Sequence, residues 1–239
     1  MIGQILALGF VLGMAHATDA DHVVAVATIV SERGSVRAAA RVGALWGVGH
    51  TLTVMLFGGA ILALELTIPP ALGLSLELGV ALMLLGLGGR ALVRARAEAQ
   101  RHDHPAVAET HAHIHALGLP HRHGSHAAPR GTLESLAVGL VHGLAGSAAV
   151  ALAVLTQVGE PRLGLGYLAL FGLGTIVGMM LVTTAVAFPF VARWGPLARH
   201  RAQLRGLGGA FSVALGLVLV YDIGIRDGLF LGAPVWAPH

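Results

Sequence analysis

The chain has no cysteine and no lysine, and only 11% of its 239 residues are charged. Each absence excludes something. Without cysteine there are no disulfides, no thiol redox chemistry and no thiolate metal ligands. Any metal must then be held by His, carboxylate or backbone oxygen, a set that suits nickel, cobalt, zinc or manganese better than copper(I). So little charge cannot clothe the surface of a soluble domain of this length. A bilayer removes that need, because there the outer surface can be apolar. With no lysine, all fifteen basic residues are Arg, and they sit in the connections between apolar runs rather than along one helix face. That distribution argues against nucleic acid as a partner. There is no P-loop and no His-Glu-x-x-His, so neither a nucleotide-driven pump nor an intramembrane metalloprotease has its expected signature.

What is present is apolar. Hydrophobic residues make up 55% of the sequence, and the mean hydropathy is +0.77. Six apolar segments stand out, over residues 2–30, 42–66, 71–93, 133–158, 163–191 and 204–223. Each is long enough to span a bilayer with some tilt or a break, and strand-like alternation is absent, so all are expected to be helices. The first fifteen residues resemble a signal peptide, with small residues around His16, but no basic residue precedes the apolar run and the run continues to Val30. It reads as a retained helix. The expected fold is an all-α membrane protein of about six transmembrane helices.

The Arg residues orient it. Thirteen fall in or beside the connections after the first, third and fifth segments, and only Arg162 and Arg226 lie on the other side. The positive-inside rule then puts those three connections in the cytoplasm and both termini outside, in a cytoplasmic membrane. The halves also look alike. Residues 13–28 align with 139–154, matching Gly13 to Gly139 and His16 to His142. Residues 44–56 align with 169–181, matching Gly47 to Gly172 and Gly49 to Gly174, and Leu78 aligns with Leu207. Three helices per repeat imply opposite orientations, the plan of two inverted three-helix repeats with the substrate site at their interface. The expected divisions are residues 1–93 for the first repeat, 94–131 for a His-rich cytoplasmic loop, and 132–239 for the second repeat.

The densest polar signal is the run from His16 to His22, which includes Asp19 and Asp21 inside an apolar segment. One Asp at mid-membrane costs about 2.5–3.5 kcal/mol even on mild scales, so such residues are functional by default. Imidazole plus carboxylate is a good ligand set for borderline divalent metals. On a straight helix His16 and His22 would lie about 9 Å apart, with Asp21 pointing elsewhere. The helix is therefore expected to unwind here, or the groups to divide between direct ligands and supporting ones. Asp19 is placed to orient an imidazole. His50, flanked by Gly47 and Gly49, is a further candidate ligand, although a lone membrane His also serves to bond a carbonyl across helices. His142 is open between ligand and packing residue. The stretch from residue 102 to 126 carries His102, His104, His111, His113, His115, His121, His123 and His126. A His-rich tract of this kind reads as an accessory metal-binding loop. A bis-His haem site using His50 and His142 is the other chemistry these residues allow, but it leaves the aspartates without a purpose.

The sequence at this point resembles the nickel/cobalt transporter (NiCoT) family, including its shorter six-helix, UreH-like branch. His16, Asp21 and His22 fit the family's His, four residues, Asp, His signature, Asp19 fits its fuller form, and Gly49-His50-Thr51 resembles its second-helix motif. The resemblance covers the whole chain in topology but only the first two helices in specific motif, and the polar motifs of later helices in longer members are not evident. It implies a permease rather than an enzyme, with no prosthetic group, carrying Ni2+ or Co2+ past His16, Asp19, Asp21, His22 and His50. Uptake is the expected direction, and efflux is the alternative, since related exporters also carry His-rich loops. The implied partners are the lipid bilayer, the metal ion and a cytoplasmic metallochaperone.

Overall fold

The computed structural model describes residues 2–30, 35–64, 66–99, 133–145, 161–191 and 201–236. These are helical almost throughout, with no strand among the described residues. Among the described residues seven helices run in order: α1 (Ile2–His16), α2 (Ala20–Val30), α3 (Val36–Leu64), α4 (Pro70–Ala99), α5 (Leu133–Ala145), α6 (Pro161–Val191) and α7 (Arg201–Tyr221). Four of them, α3, α4, α6 and α7 with its extension to Arg226, are long and apolar enough to cross a membrane. Large apolar side chains such as Leu52, Leu56, Leu181, Phe211 and Leu217 face outward, as suits a lipid-facing surface. The chain is an integral membrane protein. The His-rich stretch and the expected second half of the fourth segment lie outside the described residues.

The helix ends follow local chemistry. Ser35 caps α3, its hydroxyl accepting from the Ala38 amide at 3.2 Å, and Pro70 and Pro161 open α4 and α6 where a missing amide hydrogen costs nothing. The first apolar segment is not one helix. It breaks at residues 17–19, where Thr18 Oγ1 donates to the Ala15 carbonyl at 2.6 Å and the Asp19 amide donates to the His16 carbonyl at 3.1 Å. Short polar side chains compete in this way with the helical ladder. A π-helical turn interrupts α3 at Val54–Gly58, one turn beyond His50, and a second ends α7 at Asp222–Arg226. Both are devices that re-aim side chains within a helix. Asp222 and Arg226 form an ion pair on that second turn at 3.0 Å.

Packing is close because the facing residues are small. α1 and α3 both lie against α6, α4 lies against α7, and α2 sits among α4, α6 and α7. The contacts come in matched sets. A Cβ on Gly13 would overlap the Phe171 carbonyl, and one on Gly139 the Trp46 carbonyl. Gly174 abuts the backbone of Phe10 and Met14, and Gly49 that of Leu136 and Leu140. Gly47 meets Ile176, and Gly172 meets Thr51, which also donates to the Gly172 carbonyl at 3.0 Å. In every set the second contact is the first carried over by the alignment of the two halves. Between α4 and α7, Gly88 and Gly209 face each other's carbonyls reciprocally.

The core beneath these contacts holds Trp46, Val26, Val30, Leu84 and Met179, all essentially inaccessible. At their ends α4 and α5 are joined by Arg90 with Glu134, and α4 and α7 by Glu98 with Arg205.

Candidate metal centre

The break between α1 and α2 builds the site. It takes the His16 carbonyl out of the regular helical ladder, and the His22 ring turns back to donate from Nδ1 to that oxygen, beside the Asp19 amide, at 3.0 Å. A carbonyl only accepts, so the His22 proton is on Nδ1 and the lone pair on Nε2. The His16 ring is fixed likewise, its Nδ1 lying 2.7 Å from Asp19 Oδ2. The two rings, too far apart for one ion on a straight helix, have centroids 4.7 Å apart.

α3 brings His50 to the same point, with ring centroids 5.1 Å from His16 and 5.5 Å from His22. α5 brings His142, whose ring is 4.3 Å from His22 and whose Nε2 lies 2.6 Å from Asp21 Oδ2. The other Asp21 oxygen accepts from the His22 amide at 2.9 Å. Two groups of three result, His16–His22–His50 and Asp21–His22–His142. In each, one ligand atom per residue lies within 4.8 Å of the other two.

The ring nitrogens left over are the telling feature. His16 Nε2, His22 Nε2, both nitrogens of His50 and His142 Nδ1 are buried with no hydrogen-bond partner. An unsatisfied buried polar atom costs roughly 1–3 kcal/mol, so five at one point need a ligand or ordered water to offset them. An ion about 2.1 Å from each nitrogen would draw the rings together by roughly 1 Å. The orienting partners are those a metal-ligating His requires, a carboxylate on one ring and a carbonyl on the other.

A cavity of about 260 Å³ reaches the cluster, lined by His16, Asp19, Asp21, His22, Glu77 and His142 together with Val80, Ala145, Leu219 and Ile223. It extends toward the start of α4 and the end of α7. Glu77 lies on its wall with Oε1 accepting from the Trp236 indole at 2.8 Å. A signal for it exists in the sequence: a lone acidic residue in an apolar run, shortly after the Pro-capped start of a long helix. The eight histidines from His102 to His126 lie outside the described residues.

A supporting role for Asp19 has a measurable consequence. Asp19→Asn keeps an acceptor for His16 Nδ1 but removes the charge that makes the imidazole a stronger donor. We expect nickel affinity to fall about tenfold, read by titration of the purified protein. No change would place Asp19 outside the site's support.

Helices long and apolar enough to cross a membrane, with a broken pair that brings His and Asp together, define a polytopic membrane protein with a buried cluster of candidate metal ligands. No protein-family profile and no solved structure matches the chain. It is 35% identical over 228 residues to the urease accessory protein UreH of Bacillus sp. (strain TB-90), with 95% of each chain covered. The chain therefore belongs to the UreH-like branch of the nickel/cobalt transporter family. The relative is named as an accessory of an enzyme, not as an enzyme.

Proposed function

We propose that this protein is a secondary permease that takes up nickel or cobalt, holding the ion on His16, His22 and His50 with Asp21 and His142 beside them. The observation that carries this reading is the convergence of unpartnered, buried imidazole nitrogens at the break between α1 and α2. The relative's name, which ties it to urease, favours nickel as cargo. Uptake is favoured by where the cavity lies. Its wall carries Asp19, Asp21 and Glu77, and it runs toward the ends of α4 and α7 that the Arg distribution assigns to the outside. Inward movement of a divalent cation gains about 2.3 kcal/mol per charge per 100 mV of membrane potential, so uptake needs no nucleotide.

The alternating mechanism follows from the paired contacts. Two inverted three-helix repeats, with α1 of one against α6 of the other and α5 against α3, would rock about the cluster while it stays at their interface. The His-rich loop is read as a cytoplasmic store or sensor that passes metal to a metallochaperone, not as part of the permeation site.

The test is metal flux into sealed proteoliposomes reported by an enclosed ion-sensitive dye. Wild type should admit nickel or cobalt under an inside-negative potential, and deletion of residues 102–126 should retain at least half of that rate. Absence of flux for any divalent metal, at any potential or pH gradient, would overturn the permease reading.

A further inference from the structure

His22 belongs to both groups of candidate ligands, and its chemistry lets it serve only one ion at a time. Its Nδ1 proton is committed to the His16 carbonyl, so Nε2, with a single lone pair, is its one ligating atom. The two groups also differ in character. Asp21, His22 and His142 all line the cavity and offer a carboxylate beside imidazole. His16, His22 and His50 offer imidazole alone; His16 and His22 also line the cavity, and it is His50, 1% exposed, that lies behind its wall and makes this group the deeper one.

We infer that the cluster holds its cation in two successive, mutually exclusive positions that share His22: a cavity-facing position on Asp21 and His142, and a deeper one on His16 and His50. The first meets a hydrated ion with a negative oxygen ligand, which accepts most divalent metals. The second is all nitrogen, which favours nickel and cobalt over earlier, harder ions such as manganese. Discrimination therefore belongs to the deeper position. His22 lies between its partners, with ring centroids 4.3 Å from His142 and 4.7 Å from His16, so hand-over needs ring movement and no helix displacement. Asp21 Oδ2 accepts from His142 Nε2 at 2.6 Å, so His142 meets an ion through its unpartnered Nδ1.

This inference rests on the proposed metal path, and its test separates the two. The full-length protein in lipid nanodiscs is titrated with nickel alone and with manganese alone, and the rate of nickel loading is followed by stopped flow. Wild type should bind one nickel per chain. His50→Ala and His50→Asn should still bind one, with the preference for nickel over manganese reduced at least tenfold. His142→Ala should keep that preference and load at least tenfold more slowly. Two ions in the wild type, or a folded His50 variant that binds none or keeps the full preference, would overturn the two positions while leaving a metal path. Should neither His50 variant fold, an unchanged loading rate in His142→Ala overturns them. A wild type that binds neither nickel nor cobalt removes the metal path and the inference together.

Discussion

Replacing His22 by alanine is expected to reduce metal flux by at least a hundredfold, the largest loss from any single side chain in the cluster. His22 is the one residue common to both ligand groups, so no arrangement of the remaining side chains keeps three ligands in either. Other single substitutions remove one group and spare its neighbour. The change also leaves a gap beside Trp46, whose ring is 6.1 Å from that of His22, and removes a donor from the His16 carbonyl. Alanine therefore confuses loss of ligand with loss of packing. His22→Asn separates them, because its side-chain amide can still donate to the His16 carbonyl while nothing stands where Nε2 was. Both variants should lose transport, and His22→Asn should keep a melting temperature close to wild type. A folded His22→Asn that carries nickel at more than a tenth of the wild-type rate would show that the ion does not depend on this ring.

Much of this site is legible in the amino-acid sequence, and the reasons are local. His and Asp in an apolar run are expensive wherever the run folds, so the stretch from His16 to His22 stands out. The break is legible too, since the Thr18 hydroxyl can capture the Ala15 carbonyl three residues back and the Asp19 carboxylate can accept from the His16 ring. What is not legible depends on contacts far apart in the chain. Helical spacing turns Asp21 away from the face of His16 and Asp19, but nothing in its surroundings names His142, 121 residues away, as its partner. Glu77 acquires its place from Trp236, 159 residues later. The register of α4 against α7 is hidden for another reason. It is set by backbone approach at Gly88 and Gly209, where the informative feature is the absence of a side chain.

Glycine at a helix contact carries the second large effect. Gly13 faces the Phe171 backbone so closely that a Cβ would overlap its carbonyl, and the obstacle is main chain that cannot rotate aside. Gly13→Val is expected to separate α1 from α6 at a cost of about 3 kcal/mol, the upper end of overpacking, which lowers the folded-to-unfolded ratio more than a hundredfold. Gly79, where an added Cβ would meet nothing within 4 Å, is the control, and Gly79→Ala should be neutral or slightly stabilising because alanine is the better helix former. Gly13 is also three residues before His16, so the displacement reaches the candidate metal site. Gly13→Ala, the milder change, should leave a folded protein whose nickel affinity is reduced several-fold, because His16 is carried away from His50 while the ligands themselves are intact. Thermal melting in detergent and nickel titration on the same three variants test both parts. Equal melting and equal affinity across Gly13→Val and Gly79→Ala would mean that α1 does not lie against α6 as closely as described. Melting lowered without loss of affinity in Gly13→Ala would mean instead that the broken segment at residues 17–19 absorbs the shift, leaving the two histidines of that segment to be held by α3 and α5 alone.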